Sequence, residues 1–191
     1  MSGSITVGGK ILASHDNVSG KLSMSENVDM SNMLFPAGHV IQVKQGYTNT
    51  KVQKTSTGYI WQDAASITPS FSTSKILIML NAALGQSNLN GGLKLLRNGN
   101  EFMPDLPSAF VGGATAYSGA LTTADDSLGV SSAYGIGNFL FSYLDSPSTT
   151  STCSYSLYWY MDSDGALNFN VQGTDNGGSS FSTMTLMEIM E

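Results

Sequence analysis

From Phe35 to the C-terminus, apolar side chains recur at every second position in runs of strand length, and Gly, Pro, Asn or Asp close most of these runs. A repeat of two puts alternate side chains on opposite faces of an extended chain, whereas a helix needs spacings of three and four. The plainest case is Thr152 to Tyr160, where Cys153, Tyr155, Leu157 and Trp159 alternate with Ser154, Ser156, Tyr158 and Tyr160. Val40 to Gln45 sets Ile41 and Val43 against Gln42 and Lys44, and predicts a half-buried strand with those two residues inward. Residues 47–62 are polar and Thr-rich and read as a strand or extended loop, and Pro69 breaks any central strand through 66–74. Lys75 to Leu80 is continuously apolar after its lysine and predicts a strand covered on both faces, as does Ser182 to Ile189. Asn98-Gly99 joins Gly92–Arg97 to Asn100–Met103; both turn residues accept positive φ, so a tight primed hairpin is expected. Asn138–Leu144 and Ala166–Val171 complete the set, the latter with Leu167, Phe169 and Val171 on one face. Residues 104–137, mostly Gly, Ala, Ser and Thr, form a long connection, either a surface loop or an element packed against a neighbouring subunit. About eight strands with long loops and no helix pattern predict an all-β fold, a β-sandwich of the jelly-roll type, over residues 35–191.

Residues 1–34 read differently. Two strand-like runs, Ser4–Ser14 and Lys21–Val28, flank Asp16-Asn-Val-Ser-Gly20, which has the composition of a turn. The large apolar residues are Ile5, Val7, Ile11, Leu12, Leu22, Met24, Met30 and Met33. So thin a hairpin is marginal alone in water. An extended or hairpin arm that docks on another subunit or a partner protein is therefore expected, with those eight side chains as its contacts.

Charge is sparse and uneven. Charged residues are 12% of the chain, about half the usual share. All eight Lys and Arg lie between Lys10 and Arg97, with four acids among them; the ten acids beyond Arg97 have no basic companion. A stretch without cations cannot build a phosphate-binding groove, so no nucleic-acid partner is expected. An acidic solvated surface that keeps particles apart is the simpler reading, and a divalent-cation site between subunits the sharper one. No apolar run reaches the roughly 18 residues of a membrane span, and Met1–Asp16 lacks the charged flank and apolar stretch of a signal peptide. Neither a membrane partner nor a leader is expected.

The constellations that carry chemistry are missing their parts. Cys153 is the single cysteine, so no internal disulfide is expected, and its strand pattern makes it a small core residue. Asp162-Ser-Asp-Gly165 begins like a calcium loop, but Gly stands fourth rather than sixth and Gly173 takes the twelfth position. A hairpin turn explains the same residues. His15 and His39 have no third ligand at useful spacing. Gly135-Ile-Gly137 leads into a strand rather than a helix, and no Gly-x-Ser-x-Gly elbow occurs. A carboxylate pair for glycoside cleavage meets only in a fold and is not legible in sequence. No enzyme activity, metal or cofactor is expected. Tyr158 and Tyr160 share the outer register of their strand with serines, and Tyr143 lies nearby in the pattern. Such rings suit either a subunit interface, where Tyr is enriched, or a glycan-stacking surface.

Five strings carry a family resemblance: Gly38-His-Val-Ile-Gln-Val43, Ala65 to Ile78, Leu95-Leu-Arg-Asn-Gly-Asn100, Phe141-Ser-Tyr-Leu-Asp-Ser-Pro147 and Met184-Thr-Leu-Met-Glu-Ile189. In order and spacing they resemble small jelly-roll fibre and decoration (cement) proteins of aquatic tailed bacteriophages. The resemblance implies a homotrimer on the virion surface, assembled in the bacterial host cytoplasm, and transfers no catalytic residue. It leads to a capsid decoration protein whose arm clamps onto the major capsid protein. The alternative is a tail-fibre or receptor-binding knob, attached to a tail or baseplate protein, whose tyrosines meet host glycans; a polysaccharide depolymerase is a weaker third class.

Overall fold

A computed structural model describes residues 3–7, 10–15, 22–24, 36–87, 91–103, 122–123, 136–161, 166–171 and 179–191. The chain divides into two compact units, residues 1–35 and 36–191. Every regular element among the described residues is a strand. The first unit holds β1 (Gly3–Val7), β2 (Lys10–His15) and β3 (Leu22–Met24), an antiparallel sheet in the order β1-β2-β3. The run read as one strand over Ser4–Ser14 is thus two strands that pair with each other, Ser4 opposite Ser14 and Ile5 opposite Ala13. The pair Gly8-Gly9 divides them in the sequence.

The second unit contains β4 (Val40–Thr48), β5 (Val52–Lys54), β6 (Gly58–Ile67), β7 (Lys75–Ser87), β8 (Gly91–Arg97), β9 (Asn100–Glu101), β10 (Thr122–Thr123), β11 (Gly137–Asp145), β12 (Cys153–Met161), β13 (Ala166–Phe169) and β14 (Ser182–Ile189). Their pairings make two antiparallel sheets. One runs β4-β14-β7-β11, with β13 and β5 extending it where β7 outruns β14. The other runs β6-β12-β8, and β9 and β10 both pair with the far side of β8. Numbered in chain order without β5, β9 and β13, the eight main strands stand 1-8-3-6 over 2-7-4-5. That order is the double Greek key of a jelly roll.

The predicted periodicities supply the core between the sheets. Cys153, Tyr155, Leu157 and Trp159 of β12 are all buried, and face Ile76, Ile78, Leu80 and Ala82 from β7 and Met184 and Leu186 from β14. The Asn98-Gly99 hairpin forms as read: φ is +51° and +77° at the two residues, and Arg97 pairs with Asn100. β6 ends at Ile67, ahead of Pro69.

Three buried polar stitches lock the sandwich, each joining residues far apart in the chain. Arg97 on β8 donates to both carboxylate oxygens of Asp145 at the end of β11, at 2.8 and 2.7 Å, and the Tyr155 hydroxyl donates to the same carboxylate at 2.7 Å. Burial opposes the Arg97 charge, but the Asp145 carboxylate outweighs it and holds the guanidinium above its usual pKa. Burial, reinforced by that carboxylate, pushes the Tyr155 phenol far above its ordinary value. Glu188 on β14, fully buried, accepts from Gln42 Nε2 at 2.6 Å, Ser70 N at 2.6 Å and Ser70 Oγ at 3.1 Å. Asn170, with φ +57°, gives its amide to the carbonyls of Thr48 and Thr50 and accepts from Ser182 Oγ, which accepts in turn from Ala83 N. A carboxylate or carboxamide so enclosed is tolerable only because its hydrogen-bonding positions are filled.

One expectation is reversed in β4. Ile41 and Val43 were expected inward, yet Val43 is 52% exposed and pairs with Met187 on the outer surface. The inward side is occupied otherwise. Gln42 reaches Glu188, and Gly46 presses against the backbone of β6, where a Cβ would fall 1.7 Å from the Ala64 carbonyl oxygen. No side chain beyond hydrogen fits at Gly46.

Candidate functional site

A strand in a two-layer sandwich has one face in the core, so its other face must meet water or a partner. The two outer faces of this sandwich differ sharply in chemistry. On the β6-β12-β8 side, Lys94 pairs with Glu101 at 2.5 Å, Ser154 Oγ donates to Asp63 at 2.5 Å, and the Asp63 N–H is taken by Ser156 Oγ at 2.9 Å. This is a polar, self-satisfied surface.

The outer face of β4-β14-β7-β11 is built otherwise. Strand register arranges it in rows, each crossing the sheet from β4 to β11. The first is Tyr47, Thr183, Asn81, Leu140; the second Gln45, Thr185, Met79, Ser142; the third Val43, Met187, Leu77, Leu144; the last Val40, Ile189 and Lys75. Lys75 is the one charged side chain in these rows, and it sits at the border, 2.7 Å from Glu191. Tyr47, Val43, Met79, Leu140, Leu144 and Val40 are all exposed large apolar residues, Tyr47 at 78% and Leu140 at 73%. Phe181 and Ile136, also exposed, precede β14 and β11 and continue the apolar character past the first row. With strands about 4.8 Å apart and about 3.3 Å per residue, the rows cover roughly 440 Å² in projection. Polar Thr, Ser, Asn and Gln share that area, so its apolar part lies within the roughly 300–600 Å² of the largest patch on a typical monomer, a patch that is often functional. A groove of about 370 Å³ opens in the middle of the face, lined by Met79, Asn81, Leu140, Ser142, Thr183 and Thr185 among others.

The structure separates the tyrosines that the sequence pattern grouped. Tyr143 is on the inward register of β11, half-buried, stacked on Phe141 with ring centroids 6.4 Å apart and edge-on to Phe102 at 6.0 Å. It belongs to the core wall. Tyr158 does lie on the outer register of β12, edge-on to Tyr59 at 5.2 Å, on the opposite sheet. The Tyr160 side chain lies outside the described residues, as do Met30 and Met33. Ile5, Val7, Ile11, Leu12, Leu22 and Met24 lie on the three strands of the first unit, and their side chains too lie outside what is described. Most of residues 104–137 and the Asp162–Gly165 turn fall outside it as well.

Sequence reasoning singled out the two-faced strands β7 and β14 but passed over Tyr47, Leu140 and Leu144. A signal for the last two was present: 138–144 is apolar on both registers, with Phe139, Phe141 and Tyr143 on one and Leu140 and Leu144 on the other. Cys153 is 1% exposed, and burial raises its thiol pKa, partly offset by Arg97, which suits a packing role. Among the described residues, no three His, Cys, Asp or Glu side chains gather where they could hold a metal ion. Comparison of the chain with protein-family models and with curated proteins returns no match.

Proposed function

We propose that this chain is a non-enzymatic structural protein of a tailed-phage virion, which assembles with copies of itself through the outer face of the β4-β14-β7-β11 sheet. The observation that carries the self-assembly is the contrast between the two outer faces. One is charged and internally hydrogen-bonded, while the other presents rows of Val, Leu, Met, Ile and Tyr among uncharged Thr, Ser, Asn and Gln, with a single lysine at its border. Depletion of charge, which this face shares, marks the core of an interface. The family resemblance supports a homotrimer, decoration of the outer head surface, and docking of residues 1–34 on the major capsid protein.

The first test is the native mass of the purified full chain. A trimer at micromolar concentration is expected, and a single-copy mass under those conditions would overturn the self-assembly. Deleting residues 2–33 should abolish particle binding while leaving the trimer. A labelled antibody should decorate heads rather than tails on intact particles.

One observation favours a second reading, a tail-fibre knob that meets host glycans. Tyr59 and Tyr158 form an edge-to-face pair on the outer face of β6-β12, beside Lys94, which lies opposite Tyr158 on β8. Rings beside polar groups stack on the apolar faces of sugars. Binding on a glycan array that is lost in Tyr158→Ala, together with tail labelling, would select this reading.

A further inference from the structure

Asn-Gly occurs three times in the chain, at 90–91, 98–99 and 176–177. An asparagine before glycine is the one most prone to lose its side-chain amide, because glycine has no Cβ to shield the peptide nitrogen that attacks it. Asn98-Gly99 makes the turn between β8 and β9, and both residues are exposed, so water and base reach them. What sets this turn apart is how the Asn98 side chain docks on β12. The Asn98 N–H donates to the Ser154 carbonyl at 2.8 Å, and the Ser154 N–H donates to Asn98 Oδ1 at 2.8 Å. The carboxamide thus takes the place of a backbone carbonyl and carries the β8–β12 ladder one residue past the Arg97–Tyr155 pair. Asn98 Nδ2 reaches the Thr152 carbonyl at 3.5 Å, and Asn100 Nδ2 donates to the Asn98 carbonyl at 3.0 Å. Both ends of the carboxamide, and the peptide that follows it, are held.

From this clamp we propose that Asn98 is a latent deamidation site, kept unreacted while the β8–β9 hairpin is docked on β12 and converted when it leaves. The Gly99 nitrogen gives its proton to hydroxide in solution and adds its electron pair to Asn98 Cγ. The Cγ–Nδ2 bond breaks, and Nδ2 departs as ammonia with a proton from water. The five-membered succinimide then takes up one water at either of its carbonyls and opens to aspartate or iso-aspartate. Ring closure needs Cγ to swing onto the Gly99 nitrogen, whereas the clamp aims the carboxamide at Ser154 and Thr152. Burial gives no protection at an exposed position, so the hydrogen bonds supply it. Either product alters the turn. Iso-aspartate threads an extra carbon through the backbone of a two-residue turn, and aspartate loses the Nδ2 donor. Aspartate also sets a second carboxylate beside Ser154, whose Oγ already donates to Asp63.

Ageing the full chain in mildly alkaline buffer, folded and in urea, tests this without any variant. Peptide mass mapping reads the conversion of amide to acid at residue 98. The rate in urea, where Asn90-Gly91 and Asn176-Gly177 convert alongside, is the unfolded reference. Well below the melting temperature, Asn98 should convert at least about tenfold more slowly than in urea, since the clamp must open first. A folded rate within about twofold of the urea rate overturns the proposal. A second measurement isolates the clamp from any other shelter the folded chain gives. Asn98→Gly removes the carboxamide and tolerates the φ of +51° at this position. Hydrogen exchange of the Ser154 amide, which then lacks its acceptor, should quicken by at least about tenfold, with the fold kept by circular dichroism. Unchanged exchange at Ser154 overturns the clamp as the guard, however slowly Asn98 converts in the folded protein.

Discussion

Gly46→Ala probes the closest approach between the two sheets. Gly46 faces inward on β4, opposite Met184 on β14, and an added Cβ would lie 1.7 Å from the Ala64 carbonyl oxygen and 2.9 Å from its carbon. Carbon and oxygen rest no closer than about 3.3 Å, so β4 and β6 would have to part by roughly 1.5 Å. Neither side yields easily. β4 is bonded along its length to β14, and β6 is bent beside the contact by Asp63, held at φ +47° with its N–H on Ser156. A radial gap of ~0.5–1 Å already forfeits a quarter to a half of the attraction between packed atoms, and overpacking against backbone falls at the upper end of its usual cost, about 3 kcal/mol. For a unit of this size each kcal/mol moves the melting temperature by about 2–4 °C, so a fall of roughly 6–12 °C is expected. Gly58→Ala is the matched control: its Cβ would meet only the end of the Lys54 side chain, Nζ at 3.4 Å and Cε at 4.0 Å. Relief of unfolded-chain entropy should then leave that variant within about 2 °C of wild type, or slightly above it. Thermal unfolding followed by circular dichroism, at fixed protein concentration, reads both. If Gly46→Ala melts with the control, the two sheets do not approach as described, and the reversed facing of β4 loses its explanation.

Glu188 makes stability fall in acid. Burial pushes its pKa up, but the hydrogen bonds from Gln42 and Ser70 prevail and hold it below the ordinary carboxylate value. Its contribution is therefore complete above the unfolded-state pKa of about 4.5 and is lost as pH drops through the lower folded value; Glu188→Gln should flatten that acid limb in melts taken between about pH 3 and 6, and an unchanged slope would refute the assignment. Asp145→Ala leaves the Arg97 guanidinium and the Tyr155 hydroxyl without their shared acceptor and should cost about 3 kcal/mol, read by urea unfolding; a loss below about 1 kcal/mol would mean the stitch carries little. Met79→Glu puts a charge at the centre of the exposed face and should release single copies on size exclusion with light scattering. Because Met79 is 46% exposed, the unit's own fold should remain intact by circular dichroism, and an unchanged oligomer would move the interface elsewhere.

The separation of the two outer faces gives these experiments a common frame. Variants in the stitches should change melting and leave assembly of the folded protein intact, whereas Met79→Glu should change assembly first.

The sequence by itself determined what a strand-level period can determine. Alternation along 152–160 placed Cys153, Tyr155, Leu157 and Trp159 in the core, and Asn98-Gly99 determined a hairpin, because both signals are complete within a few residues. The same period left open which side of a strand the second sheet lies on. In β4 the apolar residue Val43 points outward, because Gly46 meets the β6 backbone and Gln42 is drawn to a carboxylate 146 residues away. Tyr143 and Tyr158 look alike in sequence, yet strand order sends one into the core wall and the other to the outer face of the opposite sheet. The face with its single border lysine is likewise a product of tertiary structure. Its rows bring together Tyr47, Thr183, Asn81 and Leu140 from four strands that are distant in the chain, and only the jelly-roll order makes them neighbours.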